Sequence, residues 1–224
     1  VEGDFRIRIS SIEPNLLTDE IIQLTSQTNK ICNHFHIPLQ SGSNIILKSM
    51  QRRYNVEDYK NVVSKVKEII PDCGIGVDVI VGYPGETEKE FMETYNFLLE
   101  LPISYLHVFT YSERPDTKAI LLPNQVELSE RKRRSKMLRI LSEKKKNYFY
   151  NQMINKNLDV LFESNDDAGI IKGFSSNYVR VQNKYDENLE NKVCRVTVEN
   201  ILNGLATGKI KEMKNSVASE ILSI

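Results

Sequence analysis

The chain has 224 residues, a length that favours one large and one small domain. Its 30 lysines and arginines balance 30 aspartates and glutamates, which excludes a protein that coats nucleic acid or an anionic membrane by net charge alone. Three cysteines without a C-x-x-C pair fit a reducing cytoplasm, and no apolar run reaches the roughly 20 residues of a membrane-spanning helix. We therefore expect a cytoplasmic protein without membrane contact.

The first 125 residues alternate predicted strands and helices. Apolar and polar residues alternate over 5–12, and the apolar run at 76–81 is typical of a strand buried on both faces of a parallel sheet. The other two predicted strands cover 32–39 and 104–111. This order predicts a parallel α/β sheet with its helices outside, and four strands are too few to close a barrel.

A basic helix is predicted over 126–156, a stretch without proline or glycine. Ten lysines and arginines against three glutamates give it a charge of plus seven. Such a charge run favours either a solvated connection between two domains or a surface for RNA phosphates, and the sequence leaves both open.

Beyond the helix the period changes to two. Five short strands punctuated by glycine and asparagine predict a small, closed, antiparallel β-barrel of OB-like size over 157–212, and 213–224 is expected to be a tail. The barrel has seven basic residues against nine acidic ones, so an RNA surface there depends on arrangement. Phe174, Tyr178 and Arg180 are candidates for stacking on bases, although burial in the barrel is the expected fate of Phe174.

Two local patterns suggest ligand sites. The glycine-rich turn 82–87 follows a strand, where active-site residues of parallel sheets gather, but it lacks the lysine of a phosphate loop and carries Glu86, so an adenine or a sugar hydroxyl suits it better. Cys32, His34 and His36 alternate along an extended segment and could bind zinc from one side. Packing and hydrogen bonding remain the more common roles of such residues.

Four segments resemble, in order and spacing, the radical-SAM tRNA methylthiotransferases: 8–14, 36–43 with 50–54, 78–87 and 107–115. The Ser-Ile-Glu-Pro sequence at 11–14 is similar to the branch that acts on threonylcarbamoyladenosine beside the tRNA anticodon. Residues 157–212 resemble the TRAM domain, the RNA-binding β-barrel of this family. The resemblance implies that 1–125 is the carboxy-terminal part of a partial radical-SAM (β/α) barrel, truncated at its amino-terminal side.

The resemblance also implies a cofactor and a partner. In the full-length enzyme, S-adenosylmethionine is bound and an iron–sulfur cluster is held by a C-x-x-x-C-x-x-C motif that these residues lack. We therefore expect the 224 residues to be inactive, to bind neither group and to contain no catalytic or metal-binding residue. The residues expected near S-adenosylmethionine are Gln40, Ser41, Ser43, Ile80, Gly82, Phe109 and Tyr111, with Arg53 a candidate for its carboxylate.

The expected partner is tRNA, with no role for DNA. The residues expected to bind RNA are Arg131, Arg134, Lys144, Lys145, Tyr178 and Arg180. Four alternatives stay open: action on isopentenyladenosine in tRNA, action on a ribosomal protein, a module that only docks RNA, and an unrelated metabolic α/β enzyme. The last is disfavoured because no nucleophile beside a base and no phosphate loop follows the strands.

Overall fold

The computed structural model describes residues 5–163 and 169–213. Its first unit is a sheet of four parallel strands in the order β1-β2-β3-β4. The strands are β1 (Ile7–Ile9), β2 (Ile31–His36), β3 (Gly74–Val81) and β4 (Tyr105–Thr110). The parallel α/β architecture is as predicted, but β1 is shorter than expected because its pairing with β2 shifts register between Ile7 and Ile9.

Four helices pack on this sheet, and a fifth packs beside β4 before it continues to the second unit. They are α1 (Asp19–Gln27), α2 (Asn44–Ser49), α3 (Val56–Ile69), α4 (Glu88–Glu100) and α5 (Leu128–Asn151). Capping boxes begin α3 at Asn55 and α4 at Thr87, so side chains satisfy the free amides of each first turn. Among the described residues, none of the helices is long and apolar enough to cross a membrane.

Strand β3 shows how the sheet divides its two faces. Ile75, Val77, Val79 and Val81 are fully buried in the core that the sheet shares with its helices. Alternate residues of a strand point to opposite faces, so the residues between them lie on the other side. We call that side the inner face; its residues on β2, β3 and β4 are His34, His36, Gly74, Gly76, Asp78, Ile80, Tyr105, His107 and Phe109.

The second unit is a closed five-stranded barrel in the order β5-β6-β7-β9-β8. Its strands are β5 (Asn157–Phe162), β6 (Ile170–Ser175), β7 (Arg180–Lys184), β8 (Val193–Leu202) and β9 (Leu205–Met213). The predicted closure is confirmed, with one correction: β7 and β9 pair in parallel, because β8 and β9 form a hairpin and β9 then lies between β8 and β7. The predicted tail beyond Met213 lies outside the described residues.

Helix α5 joins the two units through both hydrophobic cores. Leu138 and Leu141 are buried in the core of the sheet, whereas Phe149 and Tyr150 are buried in the core of the barrel. One continuous helix therefore fixes the barrel relative to the sheet.

A second contact joins the units at the inner face. The barrel residue Asn177 donates from its side-chain amide to the carbonyl of Asp72 at 3.0 Å, and its own carbonyl lies against Gly74. A Cβ at Gly74 would lie 2.2 Å from that oxygen, so only glycine permits this approach. Sequence patterns gave no sign of this contact, because its partners are about 100 residues apart.

Candidate functional site

A cavity of about 520 Å³ lies on the outer side between α3, α4 and α5, away from the strand ends. A second cavity, of about 490 Å³, lies at the carboxyl ends of β3 and β4, where ligands of parallel α/β sheets bind. Its lining residues are Met50, Arg52, Ile80, Tyr83, Phe109, Thr110, Tyr111, Ser112, Arg114, Thr117 and Ala119. Three predicted cofactor residues, Ile80, Phe109 and Tyr111, are therefore brought together.

The backbone of Gln40 continues β2 toward this cavity. Its N–H donates to Asp78 at 2.9 Å and its carbonyl accepts from Ile80 at 2.9 Å, although its φ is +69°. A non-glycine residue in this left-handed region is uncommon and held by its surroundings. Gln40 thus places the end of the β2 segment beside Ile80, but Gln40 does not itself line the cavity.

Two polar atoms of the cavity residues have no hydrogen-bond partner in the described part of the chain. They are the hydroxyl of Tyr111 and Nε of Arg52, both buried. Burial raises the pKa of Tyr111. Buried polar groups are normally paired, so these two atoms are exceptions among the residues that line the cavity. Arg52 also donates from Nη1 to Glu13 at 3.1 Å, whereas its neighbour Arg53, which the sequence suggested, is exposed.

Ser41 and Ser43 follow strand β2, but neither residue lines the cavity. Both are buried against α4: the Ser41 hydroxyl lies 3.3 Å from that of Thr94, and the Ser43 hydroxyl donates to Glu93 at 2.6 Å. The expectation that these two hydroxyls contact a cofactor is therefore corrected. They fix the β2–α2 turn against α4 instead.

Gly82 is part of a buried turn and does not line the cavity. Its N–H donates to Glu86 at 2.8 Å, and its φ of +76° requires glycine. A Cβ at Gly82 would lie 2.3 Å from the side chain of Arg131, so α5 covers this turn. Burial raises the pKa of Glu86, and the Gly82 amide and the Arg134 guanidinium oppose that rise. Glu86 is thus a structural anchor of the turn.

The inner face holds all three histidines of the chain. His36 donates from Nε2 to Asp78 at 2.7 Å, and the ring of His107 meets that of His36 edge-on at 5.5 Å. Ligand atoms of His36, Asp78 and His107 lie within 4.8 Å of one another. The sequence left zinc binding by Cys32, His34 and His36 open as the less common role of such residues. The structure instead groups His36 with Asp78 of β3 and His107 of β4.

His34 takes a different role on the same face. Its Nε2 lies 2.9 Å from the hydroxyl of Tyr105, and its ring lies 4.6 Å from that of Tyr178, a residue of the barrel. Burial lowers the pKa of His34 to about 3, and the charges of Arg8, His36 and His107 add to that effect. His34 is therefore neutral at physiological pH and serves the contact between sheet and barrel.

Comparison with known proteins completes this picture. Residues 1–98 match the family model of the Radical SAM superfamily. A threonylcarbamoyladenosine tRNA methylthiotransferase of Bacillus subtilis (strain 168) is 41% identical over 202 residues, or 88% of this chain and 45% of that protein. A tRNA-2-methylthio-N(6)-dimethylallyladenosine synthase of Alkaliphilus oremlandii is 35% identical over 88% of this chain and 42% of that protein.

The chain belongs to the radical-SAM tRNA methylthiotransferase family. It spans less than half the length of these relatives. Among solved structures, the radical SAM enzyme coproporphyrinogen III oxidase of Escherichia coli superposes with a TM-score of 0.46, is 17% identical, and covers 66% of this chain and 32% of that one.

The three cysteines of the chain do not form a cluster site. Cys32 is half-buried on β2, Cys73 is buried in the core of the sheet and Cys194 in the core of the barrel. Burial raises the pKa of Cys73 to about 12, which keeps it a thiol. The three cysteines, on separate elements and two of them in separate cores, therefore do not fit an iron–sulfur cluster.

The residues expected to bind RNA in this family member have unequal access to solvent. Arg131 and Arg134 are 6% and 4% exposed. Arg131 donates to the Tyr111 carbonyl at 2.9 Å and to Glu113 at 2.6 Å, and Arg134 donates to Glu86 at 2.7 Å. Neither guanidinium is accessible to a phosphate, which corrects the expectation for these two residues.

The other four differ among themselves. Lys145 donates to the carbonyls of Leu99 and Leu101 at 2.7 and 2.6 Å and so caps the end of α4, while Lys144 is exposed. Tyr178 stacks on Phe174 at 4.5 Å, with the guanidinium of Arg180 4.6 Å from the Phe174 ring. Phe174 is only half-buried, so it belongs to this stack and not to the barrel core.

Sequence reasoning missed Arg52, Asp78 and His107 as site residues. Asp78 had a detectable signal, since it is the single charged residue in an otherwise apolar strand. His107 alternates with Tyr105 and Phe109 along β4, a period that assigns all three to one face. Arg52 had no such signal, because the two adjacent arginines look alike in sequence. Only the packing of the loop after α2 places Arg52 in the cavity lining and leaves Arg53 exposed.

Proposed function

We propose that this chain is the carboxy-terminal part of an enzyme that adds a methylthio group to C2 of a threonylcarbamoyl-type adenosine beside the anticodon of tRNA. The observation that carries the proposal is the cavity at the ends of β3 and β4, in a chain 41% identical to a relative named for that substrate. An adenine ring is flat and apolar on both faces, and Ile80, Phe109 and Tyr111 offer it matching surface.

S-adenosylmethionine, cleaved at an iron–sulfur cluster, would supply the radical that starts the reaction. Ile80 and Phe109 would contact its adenine, and Arg52 would bind its carboxylate, since Arg52 lines the cavity and its side chain is 30% exposed. The cluster ligands would come from residues outside these 224. We therefore expect the 224 residues alone to be inactive, and methionine release by them after reconstitution with iron and sulfide would contradict this.

The substrate is tested by expressing the whole gene in a bacterial strain without its own tRNA methylthiotransferases. Nucleosides from digested tRNA are then separated by liquid chromatography and identified by mass spectrometry. We expect the 2-methylthio derivative of threonylcarbamoyladenosine. A methylthio group on dimethylallyladenosine would assign the substrate named for the second relative, and a methylthiolated ribosomal protein with unmodified tRNA would overturn the proposal.

A further inference from the structure

The six cations of α5 from Arg131 to Arg139 fall into two sets. One set is neutralised within the chain: Arg131 pairs with Glu113, Arg133 with Glu88 and Glu130, and Arg134 with Glu86. The other set is Lys132, Lys136 and Arg139, which are exposed and spaced so that they share one side of the helix. Within the described residues, none of these three lies within 4.0 Å of a carboxylate.

The second set lines a groove beside the sheet. Two adjoining cavities of about 550 and 380 Å³ lie between α5 and β4 and share Arg139 and Glu143. We call them the edge groove; its residues are Leu106, His107, Val108, Phe109 and Thr110 of β4 with Lys132, Ser135, Lys136, Arg139, Ile140, Ser142 and Glu143 of α5. With Glu143 counted against the three cations, the groove keeps an excess of two positive charges.

The wall formed by β4 also presents backbone amides. In the described part of the chain β4 pairs only with β3, and Tyr111 N donates to that neighbour at 2.9 Å. Leu106, by contrast, points its backbone toward α5: its N–H donates to the Ser142 hydroxyl at 2.8 Å, and its carbonyl accepts from the same hydroxyl at 3.0 Å. The backbone N–H and C=O groups of successive residues in a strand point alternately to its two edges. The N–H groups of Val108 and Thr110 therefore face the groove, as that of Leu106 does. Cations and free amides together suit phosphate oxygens.

The edge groove leads to the candidate cofactor cavity. Phe109 and Thr110 belong to the linings of both. Phe109 is 52% exposed and Ile140 is 50% exposed, which gives a base or sugar apolar surface beside the cations. A strand of RNA held here by its phosphates would have its bases within reach of the cavity.

We propose that the edge groove binds the phosphate backbone of the tRNA anticodon arm, with Lys132, Lys136 and Arg139 as the phosphate contacts. This inference rests on the proposed function and adds the surface that orients the substrate. From Lys132 to Arg139 the helix rises about 10 Å, enough to follow more than one phosphate. The surface thus differs from the set predicted from sequence, since two of those arginines are buried.

The test compares two double variants of the full-length enzyme. Lys132→Gln/Lys136→Gln removes two groove charges, and Lys48→Gln/Lys60→Gln removes two exposed charges from α2 and α3 as the matched control. Binding of a fluorescent anticodon stem-loop RNA is measured by anisotropy over a series of KCl concentrations. We expect the groove variant to bind at least about tenfold more weakly, with a salt slope smaller by about 1.4 in log–log form, and the control to match wild type.

Each outcome separates this inference from the proposed function. Equal affinities and slopes for the groove variant and the control would overturn the groove as the RNA site, even if tRNA is still modified. If only the groove variant loses RNA binding but the wild-type protein modifies no tRNA, the groove remains the RNA site and the proposed enzymatic function is refuted. If polyglutamate displaces the RNA at an equal concentration of negative charges, the groove does not prefer RNA, and its partner is an acidic peptide.

Discussion

Arg134 Nη1 lies 2.7 Å from Glu86 Oε1, and their side chains are 5% and 1% exposed. The pair joins α5 to the turn after β3, and the same carboxyl oxygen of Glu86 accepts the Gly82 amide at 2.8 Å. The ion pair therefore holds the end of the candidate cofactor cavity against the helix that leads to the barrel.

Removal of that guanidinium is expected to destabilise the protein strongly. Arg134→Met leaves a carboxylate buried without its charge partner, which typically costs about 3–5 kcal/mol in the free energy of unfolding. Arg133→Met is the neighbouring control, because its partners Glu88 and Glu130 are exposed or half-exposed and such pairs contribute about 0–1 kcal/mol. Urea unfolding measures both. Equal losses of unfolding free energy in the two variants would show that the buried pair with Glu86 contributes no more than an exposed ion pair.

The contact between sheet and barrel gives a second prediction. Gly74→Ala places a Cβ 2.2 Å from the Asn177 carbonyl, so the barrel must move, and we expect a loss of about 1–3 kcal/mol in unfolding free energy. Gly85→Ala meets no atom within 4 Å and carries only the cost of its φ of +86°, about 1 kcal/mol. Limited proteolysis should cut between the units faster in Gly74→Ala only. The same cleavage rate in both variants would refute the close approach.

His34 predicts how stability depends on pH. Burial lowers its pKa to about 3, below the ordinary value near 6.5, so the unfolded state takes up the proton first as the pH falls. The contribution of neutral His34 is thus complete above pH 6.5 and is lost progressively down to about pH 3, by up to about 1.4 kcal/mol per pH unit.

The measurement is urea unfolding between pH 7 and pH 5, above the range in which most carboxylates titrate. His34→Asn should show a shallower decline of stability with falling pH than wild type. Tyr105→Phe keeps the buried imidazole and removes only its hydroxyl partner, so it should keep the wild-type slope. An unchanged slope in His34→Asn would assign the pH dependence to other groups.

Arg52 and Arg53 test the cofactor cavity. In the full-length enzyme, Arg52→Gln should weaken binding of S-adenosylhomocysteine by about tenfold, because a charge-assisted hydrogen bond to a carboxylate is worth roughly 1.4 kcal/mol or more. Arg53→Gln should leave the affinity unchanged, since Arg53 is exposed and does not line the cavity. Isothermal titration calorimetry compares them. A loss in Arg53→Gln with none in Arg52→Gln would favour the assignment made from sequence.

The sequence by itself determined the order of elements and the type of both units. Local patterns carry this information: the period of two over 157–212, the capping residues Asn55 and Thr87, and the apolar run of β3 each act within a few neighbours. The sequence also indicated which strand ends to examine for a cavity, because the ends of parallel strands meet at one edge.

Only the tertiary structure decided which side chains are available there. Ser41 turns toward α4 and Arg134 is neutralised by Glu86, although both looked accessible along the chain. The charge count of α5 could not separate paired from free cations, because the partners lie on other elements. The same holds for His36, whose neighbours Asp78 and His107 come from separate strands. Contacts between distant segments depend on packing, which local periodicity does not encode.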